Sequence, residues 1–338
     1  MRYFKKQLSP EHILIFNQWK DENNDKIQEW IANTGKTGDN LWGELGKTFS
    51  VERDTEINPK TLRNLLETAL YEEQNGLCCY CGNSITRIKN EELNIWEYRH
   101  RAIEHFEPKN RPEFKEKTFH YSNLMLCCKE SQRLKAYEVG RTTNGKVIQS
   151  FEDVAVLTNL PVSTIREHPK NKTLMERGLP NDDTIYVPNP PHCDDEKSKF
   201  DNKLLHTVII NPSKDEERIN RLIFSENGEI DYLDSETSKD EVIDNTFHVL
   251  ALNCKTLTER RQEKWLNAYI NYNDVILPYW ITEVAEIGVE EENQAKAIIT
   301  DNINKLIVGK SVPNDELLLE PFYFVEVAFL KNLFNAHL

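Results

Sequence analysis

The sequence predicts an α+β fold that is mostly helical, with a small core of strands between two helical regions. Three observations carry this prediction. Apolar residues recur at helical spacing near both ends of the 338-residue chain. Short runs of β-branched and aromatic residues occur between residues 95 and 103 and between residues 208 and 232. Six of the seven cysteines lie between residues 78 and 193, which indicates that the core is built around a metal ion.

The N-terminal region, residues 1–75, is predicted to consist of helices. Ser9-Pro10 favours a helix start, because serine caps the first turn and proline fits the first helical position. Asn58-Pro59 begins a second helix, which Asn75-Gly76 ends. The polar stretch from Gly35 to Gly46 contains four glycines and is predicted to be a loop.

The central region, residues 76–215, is predicted to contain the metal-framed core. Short strands are expected at residues 95–98 and 102–103, followed by a turn at residues 108–112. Motifs become sparse in residues 131–191. We interpret this stretch as an insertion, a loop or a subdomain, between the two halves of one metal site.

The C-terminal region, residues 216–338, is predicted to begin with a β-hairpin and to continue as helices. Leu222–Phe224 and Ile230–Tyr232 have strand character and are joined by a polar Asn-Gly turn. A further strand is predicted just before this region, at residues 208–212. From Glu241 onward the apolar residues follow the helical period.

Composition and charge favour a soluble, cytoplasmic protein. The chain has 29% charged and 38% hydrophobic residues, and its start lacks the apolar core of a secretory signal. The most apolar segment, residues 274–289, is interrupted by Pro278 and by two glutamates, so no membrane span is expected. The net charge of −14 argues against tight binding of nucleic acid by the chain as a whole.

The cysteine spacing predicts a structural zinc site. Cys78 and Cys81 form a Cys-x-x-Cys pair, and in a reducing compartment such a pair favours a metal over a disulfide, with redox-active or inert thiols as alternatives. Zinc needs four ligands, usually from two such pairs. Cys128 begins a second pair, but Ser131 stands where its partner is expected. Cys193 is therefore the predicted fourth ligand.

The three remaining cysteines are predicted to stay outside the zinc site. Cys127 is adjacent to Cys128, and neighbouring residues rarely reach one ion without strain. Cys79 likewise lies next to a predicted ligand. Cys254 lies among apolar helical residues and is predicted to be an inert core thiol.

Glu104 and His105, between the two groups of cysteines, are the predicted catalytic pair. Neighbours on an extended strand point to opposite sides, so the pair can approach an ion and a water molecule from different directions. Carboxylate oxygens suit Mg²⁺ or Mn²⁺, and a histidine can take a proton from the attacking water. Asn123 would hold the histidine or its loop in register. A lone Glu-His pair is more often a surface feature, and Asn123 and the cysteines favour catalysis here.

Basic residues are concentrated around the Glu-His pair although the chain is acidic. Nine lysines and arginines against five glutamates lie between Arg99 and Lys135. We predict that this face contacts nucleic acid, and the alternative is a solvated surface of mixed charge. The predicted contact residues are Arg99, Arg101, Lys109, Arg111 and Lys197.

The order of these residues resembles that of an HNH, or ββα-metal, nuclease core. Glu104-His105 is followed by Asn123-Leu124, by Cys128, and by Cys193-Asp194 with Lys197. Over most of its length the chain is similar to HNH endonucleases of the PtuB type, which are found beside the ATPase PtuA in Septu and retron antiviral systems. The segments that carry this likeness are Met1–Lys6, Cys78–Cys81, Ile103–Lys109, Tyr121–Leu124, His192–Asp194 with Lys197, Asn211–Pro212, Asn227–Glu229, and Leu252-Asn253 with Leu257 and Arg260.

The resemblance implies a ββα-metal core with a structural zinc, and hydrolysis of phosphodiester bonds with Mg²⁺ or Mn²⁺. By this likeness His105 is the general base, Glu104 an ion ligand and Asn123 the middle residue of the HNH triplet. Asp194 takes the last, metal-binding position. Glu104 and Asp194 depart from the commoner Asp and Asn or His, but both keep oxygen ligands.

The resemblance also implies partners. The substrate would be nucleic acid, with DNA favoured, and the chain would be the effector of an antiphage complex with a PtuA-like ATPase. A retron reverse transcriptase and its msDNA are further expected partners. The chain has no Walker motif, so nucleotide sensing would come from such a partner.

Two other functions use the same residues. One is a toxin-like ribonuclease acting on host RNA. The other is a zinc-framed module that binds nucleic acid or a partner protein without catalysis. Metal-dependent cleavage that His105→Ala abolishes without loss of the fold would separate the enzyme from the binding module.

Overall fold

The computed structural model shows an α+β protein in which the described strands form two-stranded antiparallel sheets. The structure describes residues 1, 3–6, 11–33, 35, 37–48, 60–92, 95–129, 134–143, 145–158, 161–168, 170–172, 174, 183–188, 192–197, 200, 205–233, 237–276, 278, 282, 297, 301 and 325–330. Among these residues, no helix combines the length and the apolar character needed to cross a membrane.

Four helices form the described part of the N-terminal region. They are α1 (Glu11–Glu22), α2 (Asn24–Ala32), α3 (Gly38–Thr48) and α4 (Lys60–Glu73). The predicted helices after Ser9-Pro10 and Asn58-Pro59 correspond to α1 and α4, and both dipeptides lie outside the described residues.

The predicted loop from Gly35 to Gly46 is wrong, because α3 occupies most of it. Thr37 and Asn40 cap this helix reciprocally. The Asn40 amide donates to Thr37 Oγ1 at 3.4 Å, and the Thr37 amide donates to Asn40 Oδ1 at 2.9 Å. Leu41 is fully buried against the core. Capping and packing therefore outweigh the low helix propensity of the glycines.

Two glycines of α3 provide a matched test of how this helix is seated. A Cβ on Gly38 would lie 1.9 Å from the Lys109 carbonyl oxygen and 2.7 Å from Thr118 Oγ1, whereas a Cβ on Gly43 would meet nothing within 4 Å. We expect Gly38→Ala to destabilise the protein by about 1–3 kcal/mol through overpacking. Gly43→Ala should stabilise it by about 0.5–1 kcal/mol through helix propensity. Urea unfolding of both variants measures this, and equal midpoints would contradict the seating of α3.

Two antiparallel pairs form the centre. β1 (Thr86–Asn90) pairs with β2 (Ile95–Arg99), and β3 (Arg101–His105) pairs with β4 (Leu124–Cys128). The strands predicted at residues 95–98 and 102–103 are confirmed. Between β3 and β4 the chain forms two 3₁₀ segments, Pro112–Phe119 and Tyr121–Asn123. Gln74, just after α4, ties this helix to β4, because its side chain both donates to and accepts from the Leu126 backbone.

The predicted insertion, residues 131–191, forms a small subdomain in its described part. It contains β5 (Leu134–Glu138), β6 (Thr142–Thr143), β7 (Lys146–Val147), α5 (Phe151–Thr158), α6 (Val162–Arg166) and β8 (Thr184–Pro188). β5 pairs with β8, and β6 pairs with β7. Apolar residues of this subdomain, including Ile148, Val154 and Ile185, form a hydrophobic cluster separate from the main core.

After the insertion, the central region ends with two short helices, α7 (Asp194–Lys197) and α8 (Leu205–Val208). The described elements of the C-terminal region are α9 (Glu216–Asn220), β9 (Leu222–Phe224), β10 (Ile230–Tyr232), α10 (Glu241–Val249), α11 (Lys255–Ile270) and a π-helical turn, Asn271–Ile276. The β9–β10 hairpin confirms the predicted one. The helices predicted beyond residue 276 lie largely outside the described residues.

The strand predicted at residues 208–212 is wrong. Val208 ends α8, and the following residues form an irregular bend. Ile209 and Ile210 are buried, but their segment is held by side chains instead of a strand ladder. The Ile210 amide donates to Thr246 Oγ1 at 2.7 Å, and the Asn211 amide donates to Asp215 Oδ2 at 2.6 Å.

One main hydrophobic cluster joins the three predicted regions. It includes Phe16 of α1, Leu124 of β4 and Leu257 of α11, all of them buried. It also includes six buried cysteines, Cys78, Cys79, Cys81, Cys127, Cys128 and Cys193. The β3–β4 pair lies at its centre. The candidate site is therefore held on a packed scaffold.

Candidate metal and catalytic site

The four predicted zinc ligands converge in the main core. Cys78 and Cys81 lie in the turn after α4, Cys128 ends β4, and Cys193 precedes α7. Their four sulfur atoms lie within 4.8 Å of one another, and all four residues are buried. The Cys78 and Cys193 sulfurs are 3.8 Å apart, and those of Cys81 and Cys128 are 3.6 Å apart. Zn–S bonds of about 2.3 Å in a tetrahedron place sulfurs about 3.8 Å apart, so the cluster fits a structural zinc.

Local backbone geometry explains how these cysteines reach one another. Gly82 has a φ of +74°, and its amide donates to the Cys78 carbonyl at 3.1 Å, which closes the first turn. Cys193 has a φ of +55°, and its amide donates to the Leu250 carbonyl at 2.9 Å. Cys193 is thus fixed to the end of α10, while the insertion subdomain leaves and returns between Cys128 and Cys193.

A histidine and an arginine lie beside the thiols. His192 is buried with Nε2 3.6 Å from Cys128 Sγ and Nδ1 4.0 Å from Cys254 Sγ. Arg261 is also buried nearby and donates to the Leu252 carbonyl in the α10–α11 connection and to the Leu257 carbonyl in α11. Four thiolates around one zinc carry a net negative charge, which the guanidinium of Arg261 offsets. The imidazole contact also shows that Cys254 is not enclosed by apolar residues alone.

A cavity of about 110 Å³ lies next to the zinc ligands. It collects residues from α3, β3, the loop after β3, and α7. Its lining residues are Asp39, Glu104, His105, Pro108, Lys109, Asn110, Asp194 and Lys197. The cavity therefore brings together the predicted Glu104, His105 and Asp194, which lie far apart in the sequence.

His105 has one ring nitrogen bonded and one free. Nε2 lies 3.0 Å from the Thr118 carbonyl oxygen, an acceptor, so Nε2 carries the proton. Nδ1 is buried without a hydrogen-bond partner. Trp42 of α3 packs edge-on against the His105 ring, with the two ring centroids 4.6 Å apart. Burial, reinforced by the charge of Lys109, lowers the pKa of His105 to about 3. The ring is therefore neutral near pH 7, with a lone pair on Nδ1.

The two carboxylates of the cavity are each paired with a lysine. Glu104 accepts a hydrogen bond from Tyr80 Oη at 3.0 Å and another from Lys197 Nζ. Burial, opposed by the charge of Lys197, raises the pKa of Glu104 to about 7. Asp194 accepts from Lys129. Burial disfavours its ionisation, but a hydrogen bond with Glu104 and the charge of Lys129 hold the pKa of Asp194 below its usual value.

Asn123 fixes the loop that follows His105. Its Oδ1 accepts from the Glu107 amide at 2.7 Å, and its Nδ2 donates to the Glu107 carbonyl at 3.0 Å. The Asn123 carbonyl accepts from the Phe106 amide at 3.0 Å. The side chain is buried and makes no contact with the cavity. This geometry is the loop-holding arrangement that the sequence predicts.

The predicted nucleic-acid contacts divide into two groups. Lys109 and Lys197 line the cavity, where Lys109 pairs with Asp39 at 3.1 Å and Lys197 is buried against Glu104. Arg101 pairs with Glu67 of α4 at 2.7 Å and lies away from the cavity lining. Arg99 is exposed, and Arg111 is half-buried. Their roles in binding remain predictions.

Sequence reasoning missed four residues that complete the site. Tyr80 and Lys129 stand next to predicted zinc ligands, so their position was the available signal. Asp39 and Trp42 lie on α3, which was predicted to be a loop, and no local pattern connects them with β3. The packing of α3 against residues 109 and 118 brings Asp39 to the cavity and Trp42 against the His105 ring.

Compared with models of known protein families, with curated proteins and with solved structures, the chain matches none.

Proposed function

We propose that this protein is a metal-dependent endonuclease of the HNH type that hydrolyses phosphodiester bonds. One observation carries the proposal. His105 is buried and neutral, and its Nδ1 has no hydrogen-bond partner. This histidine lines the same small cavity as Glu104 and Asp194. A general base next to two oxygen ligands is the minimum equipment for metal-assisted attack of water on a phosphate.

In this mechanism His105 acts through Nδ1. That atom takes a proton from the attacking water, and the Thr118 carbonyl, which accepts from Nε2, stabilises the imidazolium that forms. Trp42 and Asn123 position the ring and its loop. The base needs no change of tautomer before it can act.

Lys109 is the cationic side chain of the cavity that would contact the phosphate. Lys109 lines the cavity and is partly exposed, so it can pair with a phosphate oxygen as negative charge develops in the transition state. A divalent ion, held by Glu104 and Asp194, would neutralise charge on the scissile phosphate and the leaving oxygen. Both ligand residues keep oxygen donors, which suits Mg²⁺ or Mn²⁺.

The structural zinc would hold the catalytic parts in register. Tyr80 lies inside the Cys78–Cys81 turn and donates to Glu104. Cys193 begins the single helical turn that carries Asp194 and Lys197, and the Lys197 amide donates to the Cys193 carbonyl at 2.9 Å. One zinc cluster therefore controls the placement of both catalytic carboxylates.

Nucleic acid, with DNA favoured, is the proposed substrate, and the proposed partner is a PtuA-like ATPase with which the chain acts as an antiphage effector. A retron reverse transcriptase with its msDNA is a further proposed partner. The charge distribution supports the need for a partner. The chain carries −14 overall, while nine lysines and arginines against five glutamates lie between Arg99 and Lys135, around β3 and β4. We expect the isolated chain to bind nucleic acid weakly and to cleave it slowly.

Cleavage of labelled substrates tests the proposal. Single-stranded DNA, duplex DNA and RNA are incubated with the protein, alone and with a PtuA-like ATPase, in EDTA and in Mg²⁺, Mn²⁺, Co²⁺ or Zn²⁺. We expect metal-dependent internal cleavage of DNA that EDTA abolishes. Preferential cleavage of RNA would favour the ribonuclease. Binding without cleavage in every metal, with and without the ATPase, would contradict the enzyme and favour the binding module.

A further inference from the structure

Cys127 belongs to a second cluster of possible metal ligands, which is distinct from the four cysteines assigned to zinc. Its sulfur and the carboxylate oxygens of Glu104 and Asp194 all lie within 4.8 Å of one another. Cys127 and Glu104 are buried, and Asp194 is partly buried. The cluster is thus a thiol with two carboxylates in the interior, and it is separate from the four zinc ligands.

Strand geometry explains why adjacent cysteines serve different sites. Cys127 and Cys128 are neighbours on β4, so their side chains point to opposite faces of the β3–β4 pair. Cys127 lies opposite Ala102, and Glu104 is two residues further along β3 on the same face. Cys128 therefore faces the zinc cluster, while Cys127 faces the carboxylates.

The groups that a metal ion must displace differ between the two carboxylates and the thiol. Glu104 is bonded to Lys197, and Asp194 to Lys129, so a cation that binds these oxygens must displace or share an ammonium group. The Cys127 thiol donates only a weak hydrogen bond, of 3.6 Å, to the Ala102 carbonyl. A soft sulfur ligand strengthens binding of zinc-like ions and adds little for Mg²⁺, which prefers oxygen.

A separate observation also indicates that a ligand belongs here. His105 is buried, lines the cavity that Glu104 and Asp194 line, and leaves Nδ1 without a partner. A buried imidazole lone pair is costly unless something in the cavity uses it.

We propose that Cys127 is the third protein ligand of the cation at Glu104 and Asp194, so that this site selects a zinc- or cobalt-like ion over Mg²⁺. The inference rests on the proposed function and narrows its ion. The thiol proton passes to solvent as the Cys127 sulfur binds the ion. The site would then hold one sulfur and two carboxylate groups, and the cavity side would remain open to water and phosphate.

Cobalt binding tests this ligand without any measurement of activity. Protein that retains one equivalent of zinc is titrated with Co²⁺, because zinc is held more tightly than cobalt by the four-thiolate cluster. We expect one equivalent of Co²⁺ to bind and to produce the near-ultraviolet absorption of a cobalt–thiolate bond. In Cys127→Ser this absorption should disappear, and Co²⁺ affinity should fall at least about tenfold while Mg²⁺ affinity is unchanged.

Cys79→Ser is the matched control. Cys79 is also a buried thiol beside a zinc ligand, but it belongs to neither ligand cluster, so this variant should keep the cobalt–thiolate absorption. The inference is overturned if Cys127→Ser binds Co²⁺ with the absorption and affinity of the wild type. It is also overturned if the wild type binds Co²⁺ in an Asp194-dependent way without thiolate absorption, and in that case the proposed function stands. Cleavage activity without any Asp194-dependent ion binding would contradict both the ligand and the ion role assigned to the carboxylates.

Discussion

Cys193→Ser is expected to lose the structural zinc and to unfold the core. Cys193 is one of four buried thiols whose sulfurs lie within 4.8 Å of one another, and it anchors the insertion subdomain and α7 to the end of α10. Structural zinc in small zinc domains contributes about 10–16 kcal/mol of apparent binding free energy, which is also folding free energy. Three thiols leave the tetrahedron open. We therefore expect no cooperative thermal unfolding transition for this variant at the temperature where the wild type unfolds.

Cys127→Ser is the control for this first prediction. Its side chain faces away from the zinc cluster, so the zinc that survives dialysis against EDTA should remain at one equivalent, and the midpoint of thermal unfolding should change little. Elemental analysis and differential scanning calorimetry measure both quantities. Zinc retained in Cys193→Ser but lost in Cys127→Ser would reverse the assignment of the fourth ligand.

His105→Ala is expected to slow cleavage by roughly 10²–10⁴-fold, because it removes the general base. The fold should survive, since the zinc cluster is untouched and the neighbouring Trp42 and Thr118 belong to other elements. Single-turnover cleavage under a saturating divalent ion measures the chemical step, and zinc content with far-ultraviolet circular dichroism verifies the fold.

His120→Ala provides the matched control for the second prediction. His120 lies in the same β3–β4 connection but is exposed, so its removal should leave the rate close to that of the wild type. Equal rates for His105→Ala and wild type in the same metal would show that Nδ1 of His105 is not the base. A loss of rate in His120→Ala as large as in His105→Ala would assign the effect to the loop instead of the ring.

The zinc cluster was predictable from sequence because its first pair is local and because the need for four ligands limits which other residues can complete it. A Cys-x-x-Cys pair needs only a tight turn, and the adjacent Gly82 supplies one. Excluding Ser131 and Cys127 left Cys193 as the fourth ligand, and the convergence of the four thiols is confirmed. The strands around Glu104 and the β9–β10 hairpin were predictable for the same reason, because period and turn residues lie within a few positions of one another.

Features that depend on long-range packing could not be predicted. The glycines of α3 favoured a loop, and only the Thr37 cap and the burial of Leu41 against distant helices select the helix. Residues 208–212 have strand composition, but their backbone amides donate hydrogen bonds to the side chains of Thr246 and Asp215 instead of to a strand partner. Thr246 is distant in sequence and reaches the segment only through tertiary packing. Asp215 reaches it through a turn that the periodicity of apolar residues does not predict.

The roles of the charged residues could be predicted from the sequence only in part. Lys197 was predicted to face nucleic acid because of its charge and motif position. The structure buries it against Glu104, since a buried carboxylate requires a cation or a proton. Which lysine pairs with which carboxylate depends on the fold of the whole site and not on sequence spacing.

Anomalous X-ray diffraction tests the central claim most directly, namely that Glu104 and Asp194 hold a catalytic ion beside His105. Crystals of protein retaining one zinc equivalent are soaked in Mn²⁺. Diffraction data are collected above the zinc edge and above the manganese edge, and an anomalous difference map is calculated from each data set. The account predicts a zinc peak among Cys78, Cys81, Cys128 and Cys193, and a separate manganese peak bonded to Glu104 and Asp194 in the cavity that His105 lines. A zinc peak without manganese density at these carboxylates, under saturating Mn²⁺, would contradict it.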